Sequence, residues 1–307
     1  MPELILHHYE MSPFSEKVRR ILAWKKLSHR RVRAPAVMPK PDLVALTGGY
    51  RKIPVLQIAN HVYCDTCLIA EVLERRAPTP SLYPTPVAAM VAEWADTTFF
   101  EAAVAVGMRP TRFDEVVRLL QQDELAKIVE DRKAMRADAK KSGPPAYAAR
   151  GQLDVYLSRI DAALTGSPFL FGKEPCIADF SAYHLVWFLE KMVPEPLAGL
   201  GAVKAWMDRI ASMPEPENTP MEASEALRIC RDSPPGFESD AAFVDTNGIS
   251  SGARVVVRAL DYGRDPIEGN LVASRANEFV IRREDPRAGT VYVHFPRVGY
   301  EVAEPRP

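Results

Sequence analysis

Cysteine is scarce in this chain: there are four, at positions 64, 67, 176 and 230, among 307 residues. That is too few for a disulfide scaffold. Charge of one sign is also lacking. The 39 Lys and Arg face 40 Asp and Glu, a net charge of -1. There is thus no electrostatic reason to expect nucleic acid or an anionic membrane as partner. No uninterrupted apolar run approaches the roughly 20 residues of a membrane span. A strand pattern starts by residue 3 and leaves no room for a signal peptide, so the expected setting is cytosolic. What is present is apolar material for folding, 47% of the residues, in a chain long enough for two or three domains.

The most informative stretch runs from His8 to Val18. Leu4-Ile5-Leu6 before it reads as a short buried strand. Ser12-Pro13 then opens a helix, with Ser suited to the N-cap and Pro to the first helical position. Phe14, Val18, Ile21 and Leu22 fall at helical spacing, so one face packs on the strand layer. A strand feeding a helix N-terminus favours anions, because free backbone N–H groups point there. On this stretch alone, a plain N-cap accounts for Ser12.

Further along, Ser28–Ala34 reads as a basic edge strand. Pro35–Lys52 reads as loop, with one short helix near Leu43. Lys52-Ile53-Pro54-Val55-Leu56 is a strand signature with an internal proline, which a central strand does not tolerate; a cis-proline at the strand entrance resolves the conflict. Val62-Tyr63 returns as a strand, and Cys64-Asp65-Thr66 precedes a helix from about Leu68 to Arg76.

Three motifs in this order, Ser12-Pro13-Phe14-Ser15 with Lys17-Val18-Arg19, then Lys52-Ile53-Pro54-Val55, then Asp65-Thr66, resemble the thioredoxin-like N-terminal domain of glutathione S-transferases. The resemblance covers about residues 3–215 and implies glutathione as co-substrate and a homodimer. It makes Ser12 the hydroxyl that donates to the glutathione sulfur. Ile53 would pair its backbone with the cysteinyl unit through the turn at Pro54. Asp65 and Thr66 would hold the γ-glutamyl end, and Lys52, with Lys40 as a weaker candidate, the glycine carboxylate.

The chemistry is consistent. A serine is too weak an acid to be the base, so its role is donation to a thiolate. A thiol of pKa near 8.5 is mostly protonated at neutral pH. Lowering it by about two units needs roughly 2.7 kcal/mol of preference for the anion. One charge-assisted hydrogen bond contributes about 1.5–3 kcal/mol, and the helix N-terminus adds to it. Ser15, one turn on, and Tyr9, at the end of the first strand, compete for the role. Their simpler readings are support of the first turn and packing between strand and helix. Phe14 borders the same turn. Cys64 and Cys67 form a Cys-x-x-Cys pair, but a redox pair would open the first helix, where Ser12 and Ser15 stand. No metal ligand set is spaced convincingly.

Ala77–Pro86 is a proline-rich linker. Helical patterns follow at 86–106, 112–141, 146–165, 178–191 and 201–212. Cys176 takes the cap position of a capping motif closed by Asp179. Phe99, Phe100, Met108, Arg109, Phe113, Tyr183 and Trp187 are candidates to line an acceptor pocket. After Ser233-Pro234-Pro235-Gly236 come five short strand patterns near residues 255, 271, 279, 291 and 300, which suit a small barrel or curled sheet. The resemblance does not reach them.

The expected fold is therefore α+β and multidomain. It comprises a thioredoxin-like glutathione-binding domain at 1–77, an all-α helical bundle domain at 86–231 and a small C-terminal β-barrel-like domain at 233–307. The expected function is a glutathione-dependent transferase that delivers the thiolate to a small hydrophobic electrophile. Two other classes remain open: a non-catalytic binding or regulatory protein whose β domain binds a partner, and a thiol-disulfide oxidoreductase using Cys64 or Cys67.

Overall fold

A computed structural model describes residues 2–108, 122–139, 143–237 and 242–305. β1 (Ile5–His8) is buried along its length and splits its side chains between two layers. Leu4 and Leu6 enter the core formed with α1 (Pro13–Trp24) and α3 (Thr66–Arg76), while Ile5 faces Val32, Met221 and Ala226. β1 pairs in parallel with β2 (His29–Arg33) and antiparallel with β3 (Val55–Ile58), which pairs antiparallel with β4 (His61–Cys64). The short α2 (Pro41–Thr47) lies on the opposite face from α1 and α3, among Val55, Val62 and Cys64. This is the thioredoxin-like arrangement.

α4 (Pro86–Trp94), capped by Thr85, passes into α5 (Phe100–Gly107) through a π-helical turn at Ala95–Phe99, where the Phe100 amide donates to Ala95 O. α6 (Gln122–Met135), α7 (Ala146–Leu164), α8 (Ile177–Met192) and α9 (Gly201–Ala211) follow. The Cys176 amide donates to Asp179 Oδ2 at 3.0 Å, and Asp179 Oδ1 accepts from Trp206 Nε1 at 2.9 Å. Among the described residues no helix is long and apolar enough to cross a membrane. Of the helical stretch expected at 112–141, residues 112–121 and 140–141 lie outside the described residues.

The π turn places Asp96 where three partners converge. Lys17 Nζ, fully buried, meets Asp96 Oδ2 at 2.5 Å. Ser181 Oγ donates to the same oxygen at 3.1 Å, and His184 Nε2 lies 3.1 Å from Oδ1. Burial works to raise the Asp96 pKa, but the Lys17 ammonium and His184 outweigh it and hold the carboxyl low. Lys17 belongs to α1 and Asp96 to the helical domain, so the pair ties the two together.

The sequence-based boundaries differ from the structure at both sheet edges. β2 is not an edge strand. β5 (Asn218–Pro220) lies parallel on it, and α10 (Ala223–Asp232) packs against β2, α2 and the strand at Gly289–Pro296. The chain has therefore returned to the thioredoxin-like sheet well before residue 231. At the other edge, β6 (Arg254–Ala259), β7 (Ile267–Ser274), β8 (Glu278–Asp285), β9 (Gly289–Pro296) and β10 (Tyr300–Ala303) do not stand apart. β9 pairs in parallel with β4, His61 opposite Tyr292 and Tyr63 opposite His294. The result is one ten-stranded sheet in the order β10-β6-β7-β8-β9-β4-β3-β1-β2-β5. The reason is common to both ends: an unpaired strand edge is a row of unsatisfied N–H and C=O groups.

The five C-terminal strands are strongly curled. At about 4.8 Å per strand, a flat sheet would put β10 roughly 24 Å from β4. Instead the Tyr300 hydroxyl of β10 lies 3.0 Å from Asp65, the residue that follows β4. Val62 and Cys64 share a core with Val257, Leu271, Phe279 and Phe295. At the seam, His61 Nδ1 and His294 Nε2 are 2.9 Å apart, and burial lowers the His61 pKa to about 4.

Removing Asp96 leaves Lys17 buried without a counter-charge, which typically costs about 3–5 kcal/mol. Urea unfolding of Asp96→Ala is expected to show a loss of about 3 kcal/mol, with Asp96→Asn losing less; an unchanged midpoint would dismiss the pair as a tie between domains.

Candidate functional site

The N-termini of α1 and α3 and the turn before β3 converge at one place. Ser12 caps α1: its Oγ accepts from the Ser15 amide at 3.2 Å and donates to Ile53 O at 3.5 Å. The Ile53–Pro54 bond is cis, and this turn turns the Ile53 carbonyl towards Ser12. Ser12 is 3% exposed. The Ser15 hydroxyl is buried without a hydrogen-bond partner among the described residues.

Asp65 caps α3, with φ +77 and Oδ1 accepting from the Cys67 amide at 2.9 Å. Such a backbone is unfavourable for a residue with a Cβ and occurs where surrounding contacts impose it. Thr66 Oγ1 accepts from Lys17 Nζ at 3.2 Å, so the α3 N-terminus is fixed from below by the Lys17–Asp96 pair.

The two expected cations are both engaged inside the protein. Lys52 Nζ lies 2.6 Å from Asp261 Oδ1 and 4.3 Å from the centre of the Tyr262 ring, both residues in the loop between β6 and β7. Lys40 Nζ donates to Arg51 O at 2.8 Å. Burial, with the positive charge of Arg132 and Arg51 against the negative charge of Asp131, brings the Lys40 pKa down to about 7. Arg132 of α6 donates to Tyr9 Oη at 3.1 Å and Ala36 O at 3.0 Å, while Asp131 pairs with Arg51 at 2.5 Å. Tyr9 is thereby held by the helical domain.

On the apolar side, the Phe14 ring lies 5.0 Å from Phe100 and 4.7 Å from His184, and Phe100 stacks on Tyr262 at 6.3 Å. Of the other candidate lining residues, Phe99 is buried in the core beside Trp94 and Met108 is exposed. Tyr183 and Trp187 border a separate cleft of about 190 Å³ with Glu16 and Arg20, which does not include Ser12. Arg109 and Phe113 lie outside the described residues. Cys64 is buried and free, its thiol pushed well up by burial and then by Asp65, while Cys67 is free and exposed. A thiol held protonated is a poor nucleophile.

Sequence reasoning missed Asp261, Tyr262, Tyr300, Asp131 and Arg132. Asp261-Tyr262-Gly263 reads locally as a turn and Tyr300 as a strand residue; nothing in either pattern points 209 residues back to Lys52.

Residues 6–81 match the family model described as glutathione S-transferase, N-terminal domain, and residues 108–214 the model for the C-terminal domain. Among solved structures, a GST-like protein from Pseudomonas syringae is 36% identical and covers 99% of this chain and 100% of its own, with a TM-score of 0.79. The C-terminal strands therefore fall within that likeness. A glutathione S-transferase from Rhodospirillum rubrum F11 is 22% identical over 69% of this chain and 89% of its own, with a TM-score of 0.52. A theta class glutathione S-transferase from Xanthomonas axonopodis pv. citri, solved with glutathione bound, is 21% identical over 70% and 95%, at 0.50. These two share the fold. No curated protein matches the chain.

Lys40 supplies a test of the basic end. Between pH 7 and 10.5 the unfolded chain holds a proton there that the folded chain lacks, so stability rises with pH across that window. Below about pH 7 the full cost of charging the buried amine is present. Lys40→Met is expected to be more stable than the native protein at pH 7 by about 2–4 kcal/mol, with the difference vanishing towards pH 10.5. Urea midpoints measured against pH check this, and a constant difference would refute it.

Proposed function

The chain belongs to the glutathione S-transferase family, and we propose that its thioredoxin-like domain binds glutathione and activates the thiol for attack on a small hydrophobic electrophile. The observation that carries this reading is the meeting of the Ser12 hydroxyl and the Ile53 carbonyl at the cis-proline turn, with the start of α3 brought alongside by the pairing of Val55 with Cys64. Ser12 is the thiolate donor. Its hydroxyl hydrogen, directed at Ile53 O over a long 3.5 Å contact, is weakly held and rotates to a sulfur anion at small cost. The free amides of the first α1 turn add positive potential. Ile53 offers its backbone to the cysteinyl unit, Asp65 and Thr66 take the γ-glutamyl end, and Lys52 takes the glycyl carboxylate. Lys40, bound to Arg51 O, acts on the loop and not on the ligand. Phe14 and Phe100 form the apolar wall beside the sulfur.

Covalent bookkeeping for conjugation is simple. The thiol proton leaves to solvent, the thiolate sulfur forms a bond to the electrophilic carbon, and the leaving group departs with its bonding electrons, or the electrons move onto an acceptor double bond that water then protonates.

One observation favours a second reading, a glutathione-binding protein without rate acceleration: Lys52 and Asp65 already have partners within the chain. The same experiment separates the two. Ultraviolet absorbance of the bound glutathione thiolate, followed against pH, is expected to give a pKa about two units below that of the free thiol. In Ser12→Ala the value returns towards 8.5 and kcat/KM at neutral pH falls about 10- to 25-fold. A thiol pKa that is unshifted in the native protein removes the transferase reading.

A further inference from the structure

Two ligand positions of the proposed site are occupied by groups from the C-terminal sheet. Lys52 Nζ carries the Asp261 carboxylate at 2.6 Å, and Asp65 Oδ2 accepts from the Tyr300 hydroxyl at 3.0 Å. The carboxylate on Lys52 is the same chemical group as the glycyl terminus of glutathione. The loop bearing it is anchored on both flanks; before Asp261, the Leu260 amide donates to Gly299 O at 2.9 Å. The Gly263 amide donates to Met135 O at 2.8 Å, and the Arg264 guanidinium pairs with Glu301 at 2.9 Å. Tyr262, next to Asp261, stacks on Phe100.

The loop is thus fixed while its carboxylate is free to exchange. The Lys52 side chain is 14% exposed and Asp261 51% exposed. A carboxylate standing half in water holds its partner weakly and gives way to a rival at modest cost. Taking the glutathione reading as its basis, we propose that Asp261 is an internal competitor for the glycyl carboxylate and so determines specificity. In the native protein Lys52 is already neutralised, and a γ-glutamyl thiol whose glycyl end is uncharged binds about as well as glutathione itself.

The test uses the full chain, calorimetry, and two ligands: glutathione and its glycyl monoethyl ester, in which a neutral ethyl ester replaces that charge. The native protein is expected to bind the two within about threefold of each other. Asp261→Asn is expected to bind glutathione about three- to tenfold more tightly, and the ester with unchanged affinity. Unchanged ester binding also shows that the variant site is intact. The inference is overturned if native protein prefers glutathione to the ester by more than tenfold, or if Asp261→Asn binds glutathione no better. Those outcomes leave the glutathione reading standing. Failure of both ligands to bind either protein overturns both.

Discussion

The edge of β4 is the constraint on which the rest of the molecule depends. A short, buried strand with one side unpaired is a poor end for a sheet. Here β9 covers it, and with β9 come four more strands. Because that set curls, its last strand returns beneath the start of α3, and the loop between β6 and β7 reaches Lys52. One main-chain pairing therefore decides what stands over the site. The same solution at β2, where three residues of β5 close the sheet, brings α10 against the opposite face.

Beneath the site, a buried ion pair provides what hydrophobic packing alone would leave loose. Apolar contacts between α1, α3 and α8 are tolerant of small slides, whereas Lys17 has one carboxylate to meet. The π turn brings Asp96 to that meeting point, and an extra residue in a helical turn is a common way to aim a side chain. Thr66 takes part in the same network. The position of the α3 N-terminus thus depends on the helical domain, and site geometry is coupled to the contact between domains.

Much of this was legible in the sequence wherever the signal is local. Ser12-Pro13 is an N-cap and first-turn pair, Pro54 interrupts a strand in a way that a cis bond answers, and Asp65 precedes an apolar helix; each is a statement about a few adjacent residues. The five C-terminal strands were legible for the same reason, as short β-branched and aromatic runs between turns. What could not be read was pairing. Asn218-Thr219-Pro220 carries no strand pattern, so β2 looked like an edge. His61 and Tyr292 become neighbours only after folding. The partner of Lys52 was invisible because a salt bridge between exposed loops leaves no periodicity in either segment. Lys17 falls within a motif, yet its burial depends on Asp96 in a different domain.

The inserted helical domain has a consequence for the order of synthesis. The strand that finally protects His61–Cys64 lies at residues 289–296. On a ribosome adding roughly 5–20 residues per second, β4 emerges and then waits on the order of ten seconds or more for its partner. Throughout that interval the nascent chain presents an uncovered β edge beside the apolar side chains of Val55 and Val62. Until the last strands emerge, that edge is open to pairing with another chain.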